Sequence, residues 1–296
     1  MTPKPLSDEQ RESFNTHGFL RIPGALTPET VAILQSTCLR LRDEDTRSAT
    51  SRAEANNDWR DHFNHPFSDK QAACDQARWE ACNIVTKDRS FMDLIDYRRI
   101  LPIVAELLSD NIFLMSSRAM IRDQAPMTDL EFSAFRLDWH RDLGTSALEM
   151  TEPHPRLSVK VAYWLTDLHA PGQGAMQVVP GSHRLTGPIT INPDTGHPFG
   201  AIEIHANSGD ALLFEQRLWH AAAPNITANP RICLFFAYGF RWLRPDDYRE
   251  VPDELMNHLP SARKQLLGAT ESRYGYYLPT TADLPLRSWL KGPVDG

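Results

Sequence analysis

From about residue 111 the chain breaks into short apolar or alternating runs: NIFLMSSRAMIRD, LSVKVAYWLTDL, GAMQVVPGSH, AIEIHANSGDALLFEQRLWHAAAP and RICLFFAYGFRW. Gly, Pro and Asn punctuate them. Short runs with turn residues between them are the pattern of an antiparallel sandwich or jelly roll. The expectation is a mainly β fold with flanking α: a double-stranded β-helix (jelly roll, cupin-like) with N-terminal helices packed on one sheet.

The first hundred residues read as mostly helical. Ser7 is a candidate N-cap for LSDEQRESFNTHGFL, and Gly18 would stop that helix. RIPGAL reads as a short strand and turn. In TPETVAILQSTCLRLRDED, Thr27 caps, Pro28 takes the first position, and Val31, Leu34, Cys38 and Leu41 fall on one stripe. Helical spacing returns in FMDLIDYRRILPIVAELLSD and is interrupted at Pro102. The polar stretch over 47–75 reads as a long loop suited to a lid. With no boundary or repeat in view, residues 1–296 read as a single domain. Its helical part runs to about 110, its jelly-roll core over about 111–245, and its tail over 246–296, with a short helix near PDELMNHLPSARKQLL.

Composition narrows the function classes. A net charge of -7 gives no basic footprint for nucleic acid. There is no 18-residue apolar run and no apolar N-terminal leader, so neither a membrane span nor an export signal is expected. Cysteines 38, 74, 82 and 233 form no C-x-x-C pair and read as free thiols. The expectation is a cytoplasmic monomer or homodimer that meets a small-molecule substrate.

RLDWHRDLGTS holds the chain's one His-x-Asp, His140 and Asp142. On an extended segment two such residues point to one face, roughly 6.6 Å apart along the chain. An imidazole and a carboxylate are two thirds of the 2-His-1-carboxylate triad that holds non-haem Fe(II) and leaves positions open for co-substrate and O2. His220, in LLFEQRLWHAAAPNIT, is the candidate third ligand. Arg231 opens the next strand, NPRICLFF, where a hairpin would return it near His220 and let it clamp a carboxylate. Read singly, each residue has a plainer account: a surface or capping pair, a strand-end histidine, a surface cation.

Together these segments resemble the phytanoyl-CoA dioxygenase family of Fe(II)/2-oxoglutarate-dependent oxygenases. DWHRD is similar to that family's W-H-x-D segment, GQGAMQVVPGSHR to its strand-to-loop signature, and SGDALLFEQRLWHAAAPN to the segment with the distal histidine. FNTHGFLRIPGAL is similar to its N-terminal entry, and the resemblance spans roughly residues 10 to 245. It implies that His140, Asp142 and His220 ligate iron and that Arg231, eleven residues after His220, holds the C5 carboxylate of 2-oxoglutarate. It places Tyr163 near a position that contacts the co-substrate in some members. Ser182 and His183 of PGSH read as a structural loop. Halogenating relatives lack the carboxylate, so the presence of Asp142 implies oxygen transfer. The implied activity is hydroxylation of an unactivated C–H of a small metabolite with Fe(II), 2-oxoglutarate and O2, releasing succinate and CO2. Desaturation, epimerisation, ring closure and a non-catalytic jelly-roll binder stay open as alternatives. Ser116, Arg118, Met120 and Arg122 share a face if MSSRAMIRD is a strand, with Arg118 the candidate for an anionic substrate group.

Overall fold

The structure, a computed structural model, describes residues 5–49, 77–144, 149–248 and 251–292. Helix α1 (Asp8–His17) starts at a capping box in which Ser7 and Gln10 satisfy each other's backbone amides. It stops at Gly18, whose φ of 83° suits a residue without a side chain. Strand β1 (Phe19–Ile22) follows, then α2 (Pro28–Ala49), which Thr27 caps by accepting the Thr30 amide at 3.2 Å. Pro102 begins the helix Leu101–Leu107 instead of breaking a longer one. A proline lacks only an N–H that the first turn does not use.

Strand β2 (Arg78–Cys82) was not expected in a helical N-terminal part. Its pairing with a distant strand, not an alternating pattern of its own, makes it a strand. Strands β3 (Ile112–Arg122), β4 (Ser158–Trp164), β7 (Ala211–Glu215) and β9 (Arg231–Phe240) complete a six-stranded antiparallel sheet in the order β1-β7-β4-β9-β3-β2. Strands β5 (Met176–Val178), β6 (Ile202–Glu203) and β8 (His220–Ala222) form a second sheet in the order β6-β5-β8. This is the jelly roll the punctuated sequence predicts. The tail carries helices Asp253–Asn257, Ser261–Leu266 and Pro285–Trp289, where one short helix was expected.

Period-two alternation puts a different core on each face of the large sheet. Val161, Leu213, Ile232, Leu234 and Phe236 pack outward against Phe14, Leu34, Phe91 and Val104 of the helical layer. Ala162, Trp164, Leu212, Phe214 and Cys233 point inward, toward Met176 and Val178 of the small sheet. Much of the predicted lid, with His62 and His65, lies outside the described residues. No helix among the described residues is long and apolar enough to cross a membrane.

Candidate metal centre

His220 begins β8, and His140 is held to it by an isolated antiparallel bridge. Each amide donates to the other's carbonyl at 3.0 Å, and the rings come to 4.3 Å between centroids. The Asp142 amide donates to the Gln216 carbonyl at 2.8 Å, so residues 140–142 lie along residues 216–220. The His-x-Asp segment is thus a bridge running into a turn, not a full strand.

The backbone also orients both rings. His140 Nδ1 lies 3.0 Å from the Asp138 carbonyl, and His220 Nδ1 lies 2.9 Å from the Leu218 carbonyl. A carbonyl only accepts, so each Nδ1 carries the proton and each Nε2 keeps its lone pair for an ion. Asp142 Oδ1 is 4.0 Å from His140 Nε2, and Oδ2 is 3.5 Å from His220 Nε2. One ligand atom from each of the three residues lies within 4.8 Å of the others.

Lys160 reaches this cluster from the inner face of β4, with Nζ 2.8 Å from Asp142 Oδ2. Burial pushes the Asp142 carboxyl up, but Lys160 and the two imidazoles outweigh it and hold the group well below the usual carboxylate range. Burial pushes His220 down to about 4 against the pull of Asp142. At neutral pH the site therefore offers an ionised carboxylate and a neutral His220 ring, the forms that bind metal. Sequence reasoning missed Lys160. Its signal was a single charge inside SVKVAYW, on the same parity as the inward Ala162 and Trp164.

Arg231 is 1% exposed. Its guanidinium carbon sits 4.8 Å from the Trp164 ring centroid and 5.9 Å from that of Phe235, and Nη1 lies 3.5 Å from Met120 Sδ. Nε and Nη2 are buried without a hydrogen-bond partner among the described residues. Burial disfavours its charge. An uncompensated buried cation is costly, so this pocket calls for an anion. Arg231 does not reach the site through a hairpin as expected. β8 belongs to the small sheet and β9 to the large one, so the chain crosses between sheets over 223–230.

Tyr163 is not brought to the site. It points to the opposite face of β4 from Lys160, with its ring 5.8 Å from Phe236 in the outer core. One step of strand parity separates it from the pocket. Arg118 does share the inner face with Met120, as its strand spacing predicts, and its Nη1 donates to Glu80 Oε1 at 3.3 Å. The arginines beside the His-x-Asp have structural partners. Arg141 Nη2 donates to Glu152 Oε1 at 2.9 Å and lies over Trp219. Arg136 Nη1 donates to the Thr195 carbonyl at 2.5 Å. Ser182 Oγ accepts the Trp219 amide at 2.9 Å, and His183 packs against Gly18, so the PGSH loop braces the residue before His220.

Two imidazoles and a carboxylate around one point suit a divalent iron site with open positions. The unpartnered nitrogens of Arg231 suit the far carboxylate of a small diacid. A family model described as Phytanoyl-CoA dioxygenase matches residues 14–233. Ectoine dioxygenase of Nocardia farcinica is 25% identical over 253 residues, covering 78% of this chain and 76% of that protein. HygX of Streptomyces hygroscopicus, solved with nickel and 2-oxoglutarate bound, aligns with a TM-score of 0.59 at 22% identity, over 83% of this chain and 91% of HygX. The non-heme alpha ketoglutarate dependent carbocyclase SnoK from nogalamycin biosynthesis aligns with a TM-score of 0.57 at 17% identity, over 88% of this chain and 93% of SnoK.

Proposed function

We propose, from the premise that this chain belongs to the phytanoyl-CoA dioxygenase family, that it hydroxylates an unactivated C–H bond of a small-molecule metabolite. The chain is an Fe(II)- and 2-oxoglutarate-dependent dioxygenase. The observation that carries the reading is the convergence of His140, Asp142 and His220 in the same interior as the buried Arg231. In this reading the three would hold Fe(II), and Arg231 would take the C5 carboxylate of 2-oxoglutarate. When bound, the metal with its co-substrate and O2 supplies an oxidant strong enough for a C–H bond, with succinate and CO2 released.

The protein's own contribution is positional. The paired amides of His140 and His220 fix the spacing of the rings, and the Asp138 and Leu218 carbonyls fix their tautomers. Lys160 holds Asp142 Oδ2, leaving Oδ1 to a metal. Trp164, Phe235 and Phe214 line the interior with aromatic surface, and an apolar lining strengthens charged contacts beside it.

Anaerobic addition of Fe(II) and 2-oxoglutarate tests the cofactor assignment. A weak visible charge-transfer band is expected, and its absence from the wild-type protein would sink the assignment. Succinate release across a metabolite panel then identifies the substrate. A product heavier by one oxygen supports hydroxylation, whereas one lighter by two hydrogens replaces it with desaturation.

A further inference from the structure

The three candidate ligands come from two segments distant in the chain, residues 140–142 and 216–220, and backbone hydrogen bonds join them. Arg141 stands between His140 and Asp142. Its guanidinium carbon lies 5.2 Å from the ring centroid of Trp219, within cation–π range, and Trp219 is the residue before His220. A side chain of the first segment therefore bears on the second, next to its ligand. Trp219 is a fixed surface: its amide donates to Ser182 Oγ at 2.9 Å, and its carbonyl accepts the Val179 amide at 2.9 Å. Arg141 is held at its tip as well. Its Nη2 donates to Glu152 Oε1 at 2.9 Å, and the two side chains are only 14% and 25% exposed. A solvated ion pair contributes little, but this one is mostly shielded and continues into fixed partners on both sides. Glu152 Oε2 accepts the amide of Gly187, just beyond the PGSH loop. That amide first, and Arg141 next, hold the Glu152 carboxyl below its ordinary range. His154 Nε2 is farther off, 3.7 Å from Glu152 Oε1. The loop that Gly187 opens meets the ligand segment again, where Thr195 accepts Arg136 and the His197 ring stands edge-on to Trp139, 6.3 Å between centroids.

We infer that Arg141 is a positioning residue of the metal centre: tied to Glu152 and laid over Trp219, it locks the His140–Asp142 segment against the segment that carries His220. Glu152 is the second member of this brace, because it joins Arg141 to the loop at Gly187. Neither residue belongs to the candidate ligand cluster, so the brace acts through the direction of the ligands. His140 depends on it most. Its side chain is half-exposed, so packing around the ring does not fix it, and its ring is aimed by the backbone of its own segment. A turn of that backbone would draw His140 and Asp142 off the point they share with His220. This inference rests on the assignment of the triad above.

The test uses the full chain titrated with Co(II), whose visible d–d bands report coordination geometry while the titration gives the affinity. In Arg141→Gln and in Glu152→Gln the affinity should fall by roughly tenfold or more, as for other lost outer partners of a metal site. The bands of the bound Co(II) should shift from those of the wild type, and the metal-free melting temperature should change little. The double variant should lose no more affinity than the more affected single one, because both substitutions break one link. Arg141→Lys keeps a charge for Glu152 but loses the flat stack on Trp219, so it should recover only part of the loss. With Glu152→Gln it carries the test if Arg141→Gln folds poorly. Folded variants with wild-type affinity and bands overturn the inference. So do losses that add in the double variant, and so does a fall in melting temperature with the bands of bound Co(II) unchanged, which would leave the pair a role in the fold alone. A wild-type protein that does not bind Co(II) fails in a different way, since the triad assignment falls first.

Discussion

The two faces of β9 carry consecutive residues of one strand and do opposite work. Ile232, Leu234, Phe236 and Tyr238 face the helical layer and are all buried in apolar surroundings. Arg231 and Cys233 face the interior between the sheets, where Arg231 is equally buried but two of its nitrogens lack partners among the described residues. β4 repeats the division, with Val161 and Tyr163 outward and Lys160 and Trp164 inward. The outer face is a continuous apolar core, so it fixes where the strands lie. The inner face leaves polar requirements open, and those are the ones a ligand can meet. Changes on the two faces should therefore separate into losses of fold and losses of binding.

The largest effect belongs to the inner side. His140 is half-exposed, so His140→Ala should leave the thermal midpoint almost unchanged. It removes one of three candidate ligands, and metal affinity should fall by on the order of a hundredfold or more, beyond the range seen for outer partners of a metal site. Calorimetric titration with Co(II) reads the affinity, and a melting curve reads the fold. A variant that keeps Co(II) affinity would remove His140 from the site. The outer face gives the converse. Phe236→Ala opens a cavity against Tyr163 and should cost about 3–5 kcal/mol in urea unfolding. Its Co(II) affinity per folded molecule should hold. Loss of metal affinity without loss of stability would erase the distinction between the faces.

Acid should act through the inner face. Unfolded, His220 takes up its proton near 6.5, whereas burial lowers the folded value to about 4. Between those values the unfolded chain binds more protons, so the metal-free protein should lose stability as pH falls from about 6.5 to about 4, by at most about 3 kcal/mol. Asp142, whose folded value is depressed, contributes stability above its ordinary range and loses it only at lower pH, so it does not cancel this slope. His183 and His197 are also lowered by burial and add in the same direction. His220→Gln should flatten part of the pH dependence of the melting temperature, and an unchanged slope would show that His220 does not carry it. Next in size, Arg231→Gln should raise the 2-oxoglutarate requirement by roughly ten- to a hundredfold, the value of a charge-assisted pair, with Co(II) affinity preserved. Equal losses of both would make Arg231 a structural cation.

Much of this division was legible in the chain. Short apolar or alternating runs such as SVKVAYW and RICLFFAYGF point to strands, and the ordered spacing of His140, Asp142, His220 and Arg231 points to a candidate site, three of whose members the structure brings together. What the chain did not show is which strand lies beside which. Pairing is long-range, so β2 was hidden in a stretch read as helical, and the crossing from β8 to β9 was read as a hairpin. Tyr163 falls on the outer face of β4 and Lys160, three residues before it, on the inner face, a division that the strand's own sequence does not orient. Faces are decided by register, and a single strand read alone carries its parity but not which side is the inside.

Lys160 gives the smallest predicted effect and the finest division between the faces. Its ammonium is 2.8 Å from Asp142 Oδ2 and its side chain is partly exposed, so it is no part of the outer core. If it holds Asp142 with Oδ1 directed at the metal, Lys160→Met keeps the apolar stem and removes only the positioning contact. Metal affinity should then fall about tenfold, the lower end for a lost outer partner, while Lys160→Arg restores most of it. The opposite sign is also informative. A cation beside a dication repels it, and if that repulsion dominates, Lys160→Met binds Co(II) more tightly than wild type. Titration of the metal-free wild type and both variants with Co(II) at one ionic strength decides between a residue that orients Asp142 for the metal and one that occupies the carboxylate in its place.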